Sequence, residues 1–382
     1  MSKLIAVIGG TGAQGAPVVR DLLKPCADGS PSPYKVRALT RNPSHHRAKE
    51  LEALGAELLE GIADLHNIYE TLEYYSPAQS FHSPGSFLDN DVIHKLFDGC
   101  YGAFVNTDGF TVGAQAEVHA AINIWEIAGY HKLRHFVWSN LDYSLRLGNW
   151  DPIYGADHYN AKGRFADYMM SQKNPIDKDT GMLWTCFTNG PYMDMMIVLF
   201  APEIRPDGTR VFVAPMGDSG TIPLIALDDL AWWTRYIFDE PVKTTGKELC
   251  IASQMTTMPD MVETFTRVTG LPAEFHSLTM DEYSALFNGK DIPTASMVPG
   301  GKTFETNFRA FWAMWRDNIV TPTRDMKWIE SVHPPITLEK WMRDHEYDGT
   351  VKYPLLKNSE DHYGNLKRYV NGKSGEFVNM GF

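Results

Sequence analysis

Three evenly spaced glycines near the start of the chain constrain its fold most. Gly9, Gly12 and Gly15 follow a short apolar run, Leu4 to Ile8, and precede a helix-like segment, Ala16 to Leu23. The pattern is strand, glycine turn, helix. One glycine permits a tight turn, one lets the backbone approach a pyrophosphate, and one lets the helix pack closely on the strand. The start of the helix then presents unpaired N–H groups and a positive dipole end to phosphates. A dinucleotide is therefore the leading ligand expectation.

A second strand-like run, Lys35 to Thr40, ends in Arg41. In dinucleotide-binding folds the end of the second strand faces the adenosine ribose. A carboxylate there suits a free 2′-hydroxyl, and an arginine suits a 2′-phosphate. Arg41 thus favours NADP(H) over NAD(H), with Arg37 a weaker candidate for the same task.

Strand-like and helix-like runs alternate through the first half. Arg47 to Leu54 reads as helix, Glu57 to Glu60 as a third strand and Gly102 to Val105 as a fourth. Gln115 to Ala128 is helical, His135 to Ser139 is a fifth strand and Leu183 to Thr188 a sixth. This alternation predicts an α/β fold: a doubly wound parallel sheet with helices on both faces. Ligands bind beyond the carboxyl ends of such strands. Residues 74–91, rich in Pro, Ser and aromatics, read as an inserted surface loop. The expected organisation is a dinucleotide-binding domain over residues 1–190 and a smaller, mixed α+β lobe over 191–382. That lobe is expected to hold short strands (Arg210 to Val213, Glu248 to Ala252) and helices at Leu227 to Phe238, Met258 to Thr269, Met280 to Phe287, Phe304 to Asn318 and Thr337 to His345. From Asp348 onward the polar composition predicts an extended surface segment.

The 382 residues suffice for a large core, and a net charge of −12 opposes any broad phosphate-backbone surface, so direct nucleic-acid binding is not expected. Cys26, Cys100, Cys186 and Cys250 are far apart and form neither a zinc signature nor a disulfide framework. No apolar run is long enough for a bilayer. The expected compartment is the cytosol, with nuclear entry open; no membrane partner or metal is expected.

Ser139, at the end of the fifth strand, falls where a nicotinamide is expected. Downstream lies His158-Tyr159-Asn160-Ala161-Lys162. Short-chain dehydrogenases place a Tyr four residues before a Lys, on one helix face. The Lys holds the nicotinamide ribose and lowers the phenol's pKa for proton transfer. Here that position is His158. Tyr159 is displaced by about 100° around the helix and does not replace the phenol.

The segments GGTGAQG (Gly9 to Gly15), TRNP (Thr40 to Pro43), WSN (Trp138 to Asn140) and the His158/Lys162 pair together resemble the NmrA-like family of atypical short-chain dehydrogenase/reductases. The likeness covers the first half well and the second only in outline. It implies a Rossmann fold with a smaller C-terminal lobe. It implies pyrophosphate contacts from Thr11, Gly12, Ala13, Gln14 and Gly15, and a 2′-phosphate contact at Arg41. Asp64 matches the adenine-side position, although Ile62-Ala63 stand where the family usually has Gly-Asp. Asn106 and Thr107 match the stretch flanking the nicotinamide, Lys162 the ribose-binding lysine, and Tyr192 the loop that helps close the pocket.

The resemblance implies two functions. Some members are NADP-sensing regulators that work through a protein partner; others are reductases that use the lysine without the tyrosine. The missing phenol favours the first. A large second lobe, its Trp, Phe and Met content (Trp232, Trp233, Phe308, Phe311, Trp312, Trp315) and a proton-carrying role for His158 favour the second. The expectation is an NADP(H)-dependent reductase of a bulky apolar or aromatic carbonyl, imine or activated double bond. Lys162 anchors the ribose, and the proton comes from His158, Ser139, Tyr159 or water, in that order.

Overall fold

Strands buried on both faces carry continuous apolar runs, and Lys3–Ile8 (β1) shows this, with Ile5, Ala6 and Val7 fully buried. In the computed structural model, which describes residues 2–61, 87–172, 181–288 and 291–350 and the short strands 365–368 and 379–381, β1 is an interior strand of a seven-stranded parallel sheet. The chain continues through α1 (Gly15–Leu23), β2 (Tyr34–Thr40), α2 (His46–Ala53), β3 (Glu57–Glu60), α3 (Asn90–Phe97) and β4 (Gly102–Val105). A short α4 (Gly109–Val112), α5 (Ala114–Tyr130), β5 (His135–Leu141), a short α6 (Ser144–Leu147), α7 (Asp157–Met170) and β6 (Leu183–Asn189) follow. The strand order is β3-β2-β1-β4-β5-β6, with Lys247–Cys250 added beyond β6. This is a Rossmann-type, doubly wound sheet.

The order reverses between β1 and β4, which pair in register from Ile5↔Gly102 to Ile8↔Val105. Chains leaving these two strands diverge to opposite sides and open a crevice at their carboxyl ends. One sheet face packs Val7, Phe104 and Val137 against Val18, Val19 and Leu22 of α1. The other packs Ala103, Phe136 and Trp138 against α3, α5 and α7.

Two expectations for the second half change. Lys247–Cys250 is not a strand apart: it extends the central sheet by pairing parallel to β6, Lys247↔Thr185 through Cys250↔Thr188. The helix Leu227–Asp239 packs Leu230, Trp233, Ile237 and Phe238 into the same core as α1. Hydrophobic periodicity reports an element's type and not its partner, so residues from both sides of position 190 share the sheet. A further core gathers Phe212, Phe265, Trp312 and Trp315 around the helices Met258–Thr269 and Phe304–Arg316. The aromatic row expected to line a pocket is mostly this packing: Trp312 and Trp315 are fully buried. A buried Asp142–Arg324 ion pair ties the end of β5 to the 321–324 turn.

Most of the expected 74–91 loop lies outside the described residues. Its end does not continue as loop: Asp89 accepts from Asp91 N and Val92 N and so caps α3, which begins at Asn90. Within the polar tail, Asn365–Arg368 and Asn379–Gly381 form an antiparallel sheet with Phe287–Asn288.

Candidate functional site

The turn after β1 is shaped by its glycines. Gly9 has φ +80°, and a side chain there would meet the Asn106 carbonyl oxygen at 2.8 Å. A Cβ on Gly15 would lie 2.1 Å from Gly9 O, so only glycine lets α1 start so close to the strand. Gly12 N donates to Gly9 O and closes the turn. Among the described residues the N–H groups of Thr11, Ala13 and Gln14 meet no acceptor. The first turn of α1 contains no acidic residue, and Gln14 does not cap it through its side chain.

These residues form one wall of a cavity of about 290 Å³ at the β1/β4 reversal. Arg41 borders one end, and Asn106, Thr107, Lys162, His158 and Tyr192 border the other. Arg41 makes no ion pair among the described residues. Arg37 is committed elsewhere: it pairs with Glu57 at 2.8 Å and donates to Leu96 O and Asp98 O at the end of α3. Asp64 lies outside the described residues. Phe110, Met195, Met297 and Leu141 give the Lys162 end an apolar wall.

Lys162 is held by several acceptors at once. Its Nζ lies 2.8 Å from Thr107 O, 3.0 Å from Thr107 Oγ1 and 3.5 Å from Asn106 Oδ1. It is also 3.0 Å from Glu117 Oε1, and Glu117 is completely buried. Thr107 Oγ1 donates to the same Glu117 oxygen at 2.6 Å. Glu117 Oε2 has no partner among the described residues, and Gly109 makes room for it: a Cβ there would lie 2.2 Å away. The Trp138 ring centroid lies 5.2 Å from the ammonium. An ammonium has three protons, so engaging any further acceptor requires releasing a present one, the long Asn106 contact first.

The expected proton donors fare differently. Burial, the largest influence, pushes the His158 imidazole down to about 3, so it stays neutral where enzymes work. Its Nδ1 pairs with Asn307 Nδ2 at 2.9 Å, and its ring packs against Phe110 and Phe308. The neutral-pH proton carrier expected at His158 is thus a core imidazole at the cavity's edge. Tyr159, also expected to serve, packs edge-on against Phe311 and Trp315, and burial raises its phenol well above its usual value. Ser139 Oγ donates to Gln14 Oε1 at 2.6 Å and is itself buried. Gln14 Nε2 in turn donates to the Tyr192 hydroxyl at 2.7 Å.

Glu117 escaped sequence reading, although a signal was present. It shares one helix face, by its spacing, with Ala121, Ile124 and Ala128, a carboxylate on an otherwise apolar stripe. A charge on a buried face needs a partner. Phe110, Met195 and Met297 come from three separate segments and carry no local signal.

The fold and the cleft define a Rossmann-type dinucleotide-binding protein. The chain belongs to the NmrA-like family, which it matches over residues 1–311. The oxidoreductase notA' of Aspergillus versicolor, an NmrA-like family domain-containing protein, is 52% identical over 286 residues, covering 72% of this chain and 70% of that one. Among solved structures, the negative transcriptional regulator NmrA superposes with TM-score 0.66 at 18% identity, covering 90% of this chain and 95% of its own. The NADPH-dependent quinone oxidoreductase QOR2 of Escherichia coli, solved with NADPH, gives TM-score 0.61 at 18% identity, covering 90% and 99%. NmrA has also been solved with NADP, at TM-score 0.55 and 20% identity over 87% of this chain and 97% of that one. No helix among the described residues is long and apolar enough to cross a membrane.

Proposed function

We propose that the chain is an NADP(H)-dependent reductase acting on a bulky apolar or aromatic carbonyl, imine or activated double bond. One observation carries this reading. A single cavity joins the glycine turn and Arg41 at one end to Lys162 and an apolar wall at the other. The protein groups suit the coenzyme. The N–H groups of Thr11, Ala13 and Gln14, free of acceptors among the described residues, and the acid-free start of α1 fit a pyrophosphate. Arg41, without an ion-pair partner among the described residues, fits a 2′-phosphate. Gly9, Gly12 and Gly15 leave no side chain in the way, and Asn106 and Thr107 flank the nicotinamide end.

The bound coenzyme supplies hydride. Lys162 anchors its ribose by exchanging an acceptor, and its charge, shared with Glu117, offsets negative charge developing on the substrate. Phe110, Met195, Met297 and Leu141 exclude water from the reacting end. The test mixes purified protein and NADPH with a panel of quinones, enones and cyclic imines and follows the absorbance of the reduced nicotinamide. Oxidation well above background is expected with at least one class.

A second reading rests on the Lys162 contacts. An ammonium already saturated by Glu117, Thr107 and Asn106, with no tyrosine at position 158, suits a regulator that binds NADP(H) and reports its redox state to a protein partner. Tight cofactor binding with no oxidation across the panel favours it.

A further inference from the structure

Reduction of a carbonyl leaves an oxygen that needs a proton at the moment hydride arrives. The hydroxyl of Ser139 is spent on Gln14, Tyr159 is enclosed among Phe311 and Trp315, and Thr107 is spent on Glu117. Among the described residues one phenol borders the same cavity as Lys162, at the loop after β6, and that is Tyr192.

Its orientation is set by a chain of buried amides. Asn189 Nδ2 donates to Phe187 O at 3.5 Å, which turns Asn189 Oδ1 toward Gln14 Nε2, 3.4 Å away. Ser139 Oγ donates to Gln14 Oε1 at 2.6 Å. Both contacts fix the Gln14 amide with its nitrogen toward Tyr192, and that nitrogen donates to the phenol oxygen at 2.7 Å. The phenol oxygen is therefore an acceptor on its Gln14 side. Its own hydrogen has no acceptor among the described residues. Phe110, Met195 and Leu141 nearby offer the hydrogen no competing partner.

We propose that Tyr192 is the proton donor of this site, a phenol supplied from the β6 loop in place of the one missing at position 158, with Gln14 and Ser139 as its positioning residues. The inference rests on the reductase reading. The carbonyl carbon takes a hydride from the reduced nicotinamide, and the carbon–oxygen π bond breaks. The oxygen takes the Tyr192 proton, an O–H bond forms, and the phenol O–H bond breaks. The phenolate is stabilised by the Gln14 N–H and regains its proton from water once the alcohol leaves. Carbonyl is reduced and nicotinamide oxidised by the same two electrons. Burial sets the Tyr192 phenol up at about 12, against the lowering effect of Gln14, so it is protonated at neutral pH and ready to give.

The test uses the full chain, NADP+ and acetophenone carrying a 13C-labelled carbonyl, read by infrared difference spectroscopy. Wild type is expected to bind the ketone with its carbonyl stretch lowered by a hydrogen bond. Tyr192→Phe keeps the ring and the cavity wall, and is expected to bind NADP+ and ketone while the stretch returns toward its value in an apolar solvent. With NADPH and an accepted carbonyl substrate, the same variant is expected to lose about 100-fold in kcat. Equal carbonyl frequencies in wild type and variant overturn the role of Tyr192 and leave the reductase reading standing. Absence of NADP+ binding overturns the reductase reading. A ketone that fails to enter the NADP+ complex overturns the carbonyl-protonating role of Tyr192 and leaves the reductase reading to the imine and enone panel.

Discussion

Lys162 Nζ lies 3.0 Å from Glu117 Oε1, with the two side chains only 8% and 1% exposed. The lysine lies one helical turn after His158 on α7, and its neighbour in charge is a carboxylate from α5. Removing one member of a buried pair strands the other charge, which costs about 3–5 kcal/mol. Glu117→Gln preserves shape and removes the charge. It is expected to lower stability by about that amount in urea titrations. A midpoint equal to wild type shows that the pair is not formed.

Lys162→Met also strands Glu117, so its turnover is read only on protein shown to be folded by the same urea titration. If the ammonium offsets charge in the transition state, turnover with an accepted quinone or enone falls by roughly 100-fold or more. Initial rates at saturating NADPH give the answer. A near-wild-type rate removes Lys162 from the mechanism.

Arg41→Ala should weaken NADPH far more than NADH. A charge-assisted bond to phosphate is worth about 1.5–3 kcal/mol, or roughly 10–100-fold in affinity. Fluorescence titrations of both coenzymes against wild type and variant measure it. Equal losses for the two coenzymes place the arginine away from the 2′-phosphate.

The sheet was legible because each of its first six strands carries an apolar run bounded by a turn, and β3 and β4 begin and end at the expected residues. The glycine turn was legible because its geometry admits no other residue at Gly15. What sequence concealed was partnership. The strand at 247–250 was recognisable, but not its place beside β6, sixty residues away in the chain. His158 looked like a titrating group because sequence does not display the Phe110 and Phe308 rings that enclose it. Tyr192 looked like a wall residue because its tie to Gln14 joins the first and sixth strand loops.

Acid should destabilise the protein through its enclosed histidines. Burial holds both His158 and His135 down at about 3 in the folded chain, against about 6.5 when unfolded. Between these values the unfolded chain binds protons that the folded chain refuses. Stability is complete above the upper value and declines as pH falls through the window, by about 1.4 kcal/mol per pH unit for each histidine. Urea midpoints at a series of pH values are expected to fall accordingly. His158→Gln should flatten the decline by one histidine's share. Parallel profiles for wild type and variant contradict the depressed value.

Isothermal calorimetry of the unmodified chain with NADPH and with NADH bears most directly on the whole account. Saturable one-to-one heat with NADPH, and weaker binding of NADH, is the predicted result. No measurable heat with either nucleotide contradicts the assignment of the β1/β4 crevice as a coenzyme site, and with it the roles given to Arg41, Lys162 and Tyr192.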